Sequence, residues 1–169
     1  MKLKTLQQAL LLRTQPKLSW QLIVTAGLTG TFAIAALTLL SDLTGMMLLM
    51  APFGATCVLL FSMPSSPLSQ PANVIGGHLV STSIGILIHS LIPSFWWAMA
   101  LAVGLSIGVM AALRVIHPPA GADPIVVFIE NLDVSYLIFP VGVGSIILVF
   151  LAWAFHSVSP VTDYPLKIR

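Results

Sequence analysis

The longest uncharged stretch constrains this chain more than any other feature. Between Asp42 and Arg114 lie 71 consecutive residues without an Asp, Glu, Lys or Arg side chain. A helix that crosses the hydrocarbon core of a bilayer needs about 20 apolar residues, so this stretch crosses a membrane more than once. Hydrophobic residues make up 57% of the chain and charged residues 7%, whereas soluble domains carry about 25% charged residues. We therefore interpret the chain as an integral membrane protein.

Apolar segments separated by turn signals predict an all-α, polytopic membrane helix bundle with about six crossings. A membrane β-barrel would instead show strands of about 10 residues that alternate apolar and polar side chains. One segment is interrupted by Pro and Gly, and another is too short to span about 30 Å, so two of the six are predicted to be broken or half helices. The segments cover Leu18–Leu40, Leu43–Met63, Val74–Ile92, Phe95–Ile116, Pro124–Ile129 and Val134–Val158.

The two unusual segments resemble each other. "PFGATCVLLF" at 52–61 aligns with "PAGADPIVVF" at 119–128 at an offset of 67 residues, with identical Pro, Gly, Ala and final Phe. At the same offset Gly77 falls on Gly144, and His89 falls on His156. The match predicts an internal duplication, with one repeat over residues 18–92 and the other over 93–158. The alternative is coincidence in a chain rich in Gly, Ala and Leu.

Basic residues predict the orientation of the bundle. We expect a basic cytoplasmic lead-in at 1–17, a bundle at 18–158 and a short cytoplasmic tail at 159–169, because Lys and Arg favour the cytoplasmic side. Six crossings would place Arg114 on that side as well. Each repeat would then hold three crossings, and an odd number inverts the second copy, which gives a 3+3 inverted repeat. The alternative treats both broken segments as re-entrant and leaves four full spans with parallel repeats.

The repeated Pro-x-Gly-Ala motif predicts helix ends at membrane depth. Proline ends or kinks a helix, and a helix that restarts after the break would present free N–H groups, which bind anions. Two inverted copies would aim two such ends at one central site. The alternative is a pair of kinks that allow tight helix packing. The backbone positions predicted to bind substrate are Gly54, Ala55, Gly121 and Ala122.

Four side chains near the motifs are further candidates. Thr56 is predicted to donate directly to substrate. His117 is interpreted as an anion donor or a proton carrier, and alternatively as an imidazole that bonds the free carbonyls of the preceding helix. Asp123 is either a helix cap or a proton-coupling carboxylate. Arg114 is either a gating or coupling residue or an interfacial anchor.

A further histidine belongs to a polar stripe. His78, Thr82, Gly85 and His89 are spaced by four, three and four residues. This spacing places them on one helical face, which in a membrane bundle is expected to face other helices. We predict that His78 lines a pathway; packing through hydrogen bonds is the alternative.

Three stretches together resemble the HPP family of integral membrane proteins, named for a His-Pro-Pro tripeptide. They are "APFGATCVLLF", "PSSPLSQPANVIGGH" and "RVIHPPAGADPIVV", and the last contains His117, Pro118 and Pro119. The resemblance implies a small bacterial or plastid membrane protein. Cyanobacterial and plastid members are associated with nitrite transport, so the resemblance implies transport of a small inorganic anion. We expect a bacterial inner membrane location with both termini in the cytoplasm.

The expected function is transport of a small anion, nitrite first, through a site between the two broken helices. The alternative is a membrane-embedded binding or regulatory subunit that acts with a partner protein. An enzyme is not expected, because no nucleophile and base stand in a recognisable arrangement. One cysteine and four scattered histidines predict no metal site and no cofactor. Expected partners are the lipid bilayer, the anion and further copies of the chain, but not nucleic acid.

Overall fold

Residues 9–158 and 163–167 are described by the computed structural model, and within them the regular structure is entirely helical. The predicted all-α bundle is confirmed for this part of the chain. Parts of the predicted lead-in and tail, at 1–8, 159–162 and 168–169, lie outside the described residues.

Six α-helices of eight or more residues form the described bundle. Short 3₁₀ turns occur at Pro67–Ser69 and Pro118–Ala122, and a wide helical turn at Leu137–Gly142 leads into the last helix. The helices are α1 (Trp20–Thr44), α2 (Pro52–Ser62), α3 (Pro71–Leu91), α4 (Trp96–Ala112), α5 (Asp123–Glu130) and α6 (Val143–Val158).

Three helical stretches are long and apolar enough to cross a membrane: Trp20–Thr44, Pro71–Leu91 and Leu137–Val158. Pro52–Ser62 and Trp96–Ala112 are shorter apolar helices. Large apolar side chains such as Phe32 and Phe150 are more than half exposed. In a soluble protein so much exposed apolar surface would be costly, whereas lipid tails cover it at no cost.

Local chemistry explains where the first helix begins and ends. The Ser19 hydroxyl accepts a hydrogen bond from the Leu22 amide at 3.3 Å, as an N-cap does. Gly45 adopts a left-handed conformation with φ 69° and returns its amide to the Ser41 carbonyl, which ends α1. The helix therefore continues four residues beyond the predicted end at Leu40, because neither Ser41 nor Asp42 interrupts it.

The third helix occupies the centre of the molecule. α3 packs against α4, α5, the 3₁₀ turn before α5 and the turn that leads into α6. Glycines permit this close approach: a methyl group added at Gly85 would lie 2.9 Å from the Pro124 Cα atom. At that distance real atoms clash, so α3 and α5 are in contact at backbone level.

Each of the two predicted repeats contains three α-helices, and the repeats exchange equivalent contacts. Shifting Pro71–Leu91 by 67 residues gives 138–158, which matches the Leu137–Val158 stretch. A methyl group at Gly77 would lie 3.0 Å from the Val115 carbonyl oxygen, and one at Gly144 would lie 2.7 Å from the Leu48 carbonyl oxygen. Gly77 and Gly144 are 67 positions apart, and so are Leu48 and Val115, so the two contacts join equivalent positions of the two halves.

A second pair of contacts repeats this exchange. The rings of His89 and Phe128 have centroids 4.9 Å apart, and those of His156 and Phe61, at the equivalent positions, are 6.4 Å apart. Two halves are related by a twofold axis when each contact between them occurs twice, the second time between the equivalent residues with the halves exchanged. Exchanged contacts of this kind are what an internal duplication predicts.

A hydrogen bond of the C-terminal segment bears on the number of crossings. The Leu166 amide donates to the Gln70 side-chain oxygen at 2.8 Å, so the end of the chain and the 63–70 turn lie at one end of the bundle. In the arrangement with six crossings, four lie between Gln70 and Leu166, and an even number returns the chain to the same membrane face. The alternative with re-entrant broken segments leaves three crossings and would put the two residues on opposite membrane faces, so the contact favours six crossings.

Candidate functional site

Four side chains predicted to be functional meet in one fully buried cluster. Thr56 lies on α2, His78 on α3, His117 just before the 3₁₀ turn and Asp123 at the start of α5, and each has 0% exposure. The Thr56 hydroxyl oxygen is 2.9 Å from His78 Nε2 and 3.0 Å from His117 Nε2. A single hydroxyl therefore joins the two imidazoles.

The carboxyl of Asp123 extends the cluster on the other side of His78. Its Oδ2 atom is 2.8 Å from His78 Nδ1 and accepts a hydrogen bond from the Thr82 hydroxyl at 3.2 Å. Its Oδ1 atom is buried and has no hydrogen-bond partner among the described residues. No side-chain cap is present at the start of α5, so the interpretation of Asp123 as a helix cap is wrong.

The imidazole of His117 is anchored by a distant part of the chain. Its Nδ1 atom is 2.8 Å from the carbonyl oxygen of Leu68, in the 3₁₀ turn before α3. The alternative prediction, that this ring bonds the carbonyls of the preceding helix, is therefore wrong. A methyl group at Gly77 would lie 2.6 Å from His117 Cβ, so α3 also holds the ring by direct packing.

Several residues that the sequence did not single out hold this geometry. The Ser81 hydroxyl donates to the Ala120 carbonyl at 2.6 Å, and the Asn73 amide donates to the Ile116 carbonyl at 2.9 Å. Both bonds tie α3 to the second break. The Phe53 ring meets the His78 ring edge-on, with centroids 5.3 Å apart. Asn73 and Ser81 could have been predicted from the sequence, because their polar side chains are spaced so that they lie on one face of α3.

Amides at both breaks have hydrogen-bond partners, including that of Gly54, which was predicted to be free. The amides of Phe53 and Gly54 donate to the carbonyls of Met50 and Ala51 at 3.0 and 3.2 Å. At the second break the Ala120 amide donates to the His117 carbonyl at 3.0 Å. The chain enters each helix through a tight turn, and the amides donate hydrogen bonds to carbonyls within that turn. The polar groups of this site are consequently side chains.

The remaining predicted positions lie around the cluster rather than in it. Ala55 and Ala122 line an apolar groove of about 640 Å³ between the two broken segments. Gly54 lines a second groove, between α1 and α2, and Gly121 is half-buried in the 3₁₀ turn. Arg114 is exposed in the turn after α4, where its backbone has φ 60°.

The groove runs directly alongside the buried cluster. Pro52 and Ala55 line it on α2, and Pro118, Pro119 and Ala122 line it at the second break. These residues are chain neighbours of Thr56, His117 and Asp123. No group of three or more His, Cys, Asp or Glu residues within 9–158 and 163–167 is arranged to hold a metal ion.

The chain matches the family described as "HPP, transmembrane region" over residues 15–165. Two Dictyostelium discoideum proteins, each named as a transmembrane protein, are both 33% identical to it. The alignments cover 83% and 69% of this chain, and 53% and 40% of the respective relatives. The chain thus spans about half the length of the curated relatives it matches, and no solved structure matches it. Its transmembrane helices and the match over 15–165 establish that it belongs to the HPP family of transmembrane proteins.

Proposed function

We propose that the protein transports a small inorganic anion, nitrite first, along the groove between the two broken helices. The observation that carries the proposal is the buried cluster of Thr56, His78, His117 and Asp123 beside that groove. Ionisable side chains inside a membrane bundle are costly, and they mark substrate or proton pathways in such proteins. Broken helices that meet at mid-bundle are likewise typical of transporter binding sites.

The walls of the groove and its polar side have different roles in this proposal. Most lining residues are apolar, including Val58, Leu59 and Ile125, and such walls keep bulk water away from a passing ion. The hydrogen-bonding side chains behind Ala55, Pro118 and Ala122 supply the polarity that an anion requires. The amides at the breaks and both ring nitrogens of His117 already have hydrogen-bond partners, so His117 is proposed to attract the anion through the positive charge of its protonated ring.

The protein is proposed to act in a bacterial inner membrane, with both basic ends in the cytoplasm, as a homo-oligomer and not as an enzyme. The basic residues near the ends, such as Arg13, Lys17 and Lys167, favour this orientation.

Reconstitution into liposomes tests the transport proposal. The purified protein is expected to carry nitrite above the rate of empty liposomes. The substitution His117→Leu removes both ring hydrogen bonds and should lower the flux about ten-fold or more, which corresponds to roughly 1.4 kcal/mol. A nitrite-sensitive electrode or a colorimetric assay of trapped nitrite measures the flux.

A matched variant controls for the loss of a histidine as such. His89 on α3 bonds Ser94 at 3.0 Å, outside the cluster. His89→Leu should keep the wild-type flux. Folded wild-type protein that carries no more nitrite than empty liposomes would refute the proposal, as would equal losses in the two variants.

A further inference from the structure

We propose that Asp123, His78, Thr56 and His117 form a proton relay that holds one mobile proton, with the Thr56 hydroxyl passing it between the two imidazoles. The four side chains are connected by contacts of 2.8, 2.9 and 3.0 Å in that order. The relay rests on these contacts, and its coupling to an anion rests on the proposed function.

The tautomer of His117 follows from its backbone partner. A carbonyl oxygen only accepts hydrogen bonds, so the Nδ1 atom that lies 2.8 Å from the Leu68 carbonyl must carry a proton. In a neutral ring Nε2 is then an acceptor, and at 3.0 Å it accepts the proton of the Thr56 hydroxyl. The Pro52 carbonyl, at 3.3 Å, is the more distant acceptor for the same hydroxyl.

Thr56 has one proton to donate, which dictates the state of His78. Because that proton goes to His117, the contact of 2.9 Å between Thr56 and His78 requires a proton on His78 Nε2. The contact of 2.8 Å between His78 Nδ1 and Asp123 then requires a second proton, either on the ring or on the carboxyl. Without this extra proton, one contact would place two lone pairs face to face. All contacts are satisfied only when one proton is added to the neutral imidazoles and the carboxylate.

The transfer step conserves atoms and charge. The N–H bond at His78 Nε2 breaks as its proton passes to the Thr56 oxygen, while the original O–H proton of Thr56 passes to His117 Nε2. His78 is left neutral with its Nδ1 proton toward Asp123, and His117 becomes an imidazolium. After the transfer the Thr56 hydroxyl donates to His78 and accepts from His117, and its oxygen still carries one proton. Contacts of 2.9 and 3.0 Å allow both transfers without movement of the backbone.

Other titratable groups near the relay are few among the described residues. The Tyr136 hydroxyl donates to Met50 Sδ at 3.4 Å, and that phenol interacts electrostatically with Asp123 and Glu130. The Cys57 thiol of α2 lines the groove toward α1. His156 on α6 bonds the Leu60 carbonyl at 2.9 Å. The position of the proton therefore depends mainly on Asp123, which favours His78, and on any negative charge near His117.

An anion supplies that negative charge. Pro118 and Pro119, which directly follow His117, line the groove, so an anion bound against these prolines lies near His117. Its field favours the proton on His117. Anion entry and proton transfer are coupled in this way, and the protein carries a proton together with the anion.

The protonation states are directly measurable without substrate. Purified protein with ¹⁵N-labelled histidine rings is reconstituted in lipid and studied by solid-state NMR between about pH 5 and 8, where histidine ordinarily changes charge. Wild type is expected to show one Nδ1-protonated ring and one ring that shares a further proton with Asp123. Signals are assigned with His89→Gln and His156→Gln. Two neutral rings without a shared proton across this range would overturn the relay.

Two substitutions at Thr56 separate the hydroxyl from the packing. Thr56→Val keeps the side-chain shape and removes the hydroxyl, and Thr56→Ser keeps the hydroxyl. Proton uptake driven by nitrite, followed with a pH dye inside liposomes, should fall about 100-fold in the valine variant and stay near wild type in the serine variant. Equal uptake in all three proteins would overturn the relay. If wild type carries no nitrite, the transport proposal fails, and the NMR result alone decides the relay.

Discussion

At the residue scale, Gly77 sets the distance between α3 and the second break. A methyl group there would lie 2.6 Å from His117 Cβ and 3.0 Å from the Val115 carbonyl oxygen, and neither neighbour is the end of a flexible side chain. We expect Gly77→Ala to lower the free energy of unfolding by about 1–3 kcal/mol, the usual cost of overpacking. Thermal unfolding of the purified protein in detergent measures the change.

Gly27 provides the matched control for this substitution. A methyl group at Gly27 on α1 meets nothing within 4 Å. Gly27→Ala should therefore leave the melting temperature unchanged or raise it, because alanine favours a helix by up to about 1 kcal/mol. The same melting temperature for both variants would contradict the close packing at Gly77.

Much of the site was predictable at this scale, because ionisable and hydroxyl side chains in a membrane span are rare enough to be noticed. Thr56, His117 and Asp123 were identified from their places near the breaks and His78 from a polar stripe, and the four meet in the structure. The carbonyl of Leu68 could not be identified in this way. Every residue has such a group, so only the fold shows which carbonyl faces the ring.

At the element scale, the turn between α5 and the last helical stretch is organised by one carboxylate. Asp133 Oδ1 accepts hydrogen bonds from the amide and the hydroxyl of Ser135, at 2.8 and 2.6 Å. These two bonds hold the pKa of Asp133 below its usual range. Their contribution to folding is thus present above the ordinary pKa of aspartate and is lost as the pH falls through the lowered value.

Substitution of the serine tests this turn. Ser135→Ala removes the hydroxyl donor and keeps the amide, so the pKa of Asp133 should rise toward the usual range without reaching it. A titration of the aspartate side-chain carbon by NMR measures this. Ser83→Ala removes an exposed hydroxyl that bonds only within α3 and should leave Asp133 unchanged. An unaltered titration in Ser135→Ala would show that the hydroxyl bond does not form.

The elements themselves show where sequence reasoning succeeds and where it stops. Proline starts α2 at Pro52 and lies at the second position of α5 at Pro124, as the rule for proline at helix starts predicts. The amide of Gly54 was expected to be free, yet it donates to the Ala51 carbonyl in the turn before it. Proline controls where a helix begins, but the conformation of the preceding residues depends on packing from elsewhere in the bundle.

At the scale of the whole molecule, the contact between Leu166 and Gln70 makes a topological prediction. Single cysteines placed in exposed turns of a Cys57→Ala background can be labelled from either side of the membrane. Six crossings predict that Ser65→Cys and Asp163→Cys react from one side, and that Ser94→Cys and Ser135→Cys react from the other. A membrane-impermeant maleimide applied to intact cells and to inverted vesicles distinguishes the two sides.

The re-entrant alternative gives a different grouping. It would pair Ser65→Cys with Ser135→Cys, and Ser94→Cys with Asp163→Cys. That grouping would contradict the arrangement in which the C-terminal segment rests on the 63–70 turn. The unsubstituted protein serves as a control: its single cysteine, Cys57, is buried and should show little labelling from either side.

The division of the cluster between the two repeats has an evolutionary consequence. Residues 18–92 contribute Thr56 and His78, and residues 93–158 contribute His117 and Asp123. A half-length ancestor would have needed a second copy of itself to bring these positions together. In a single chain the two halves need not stay alike: where one half has His117, which meets Leu68, the other has Met50, which meets Tyr136. The proton-bearing chemistry could then arise in one copy while the other kept a sulfur atom in its place.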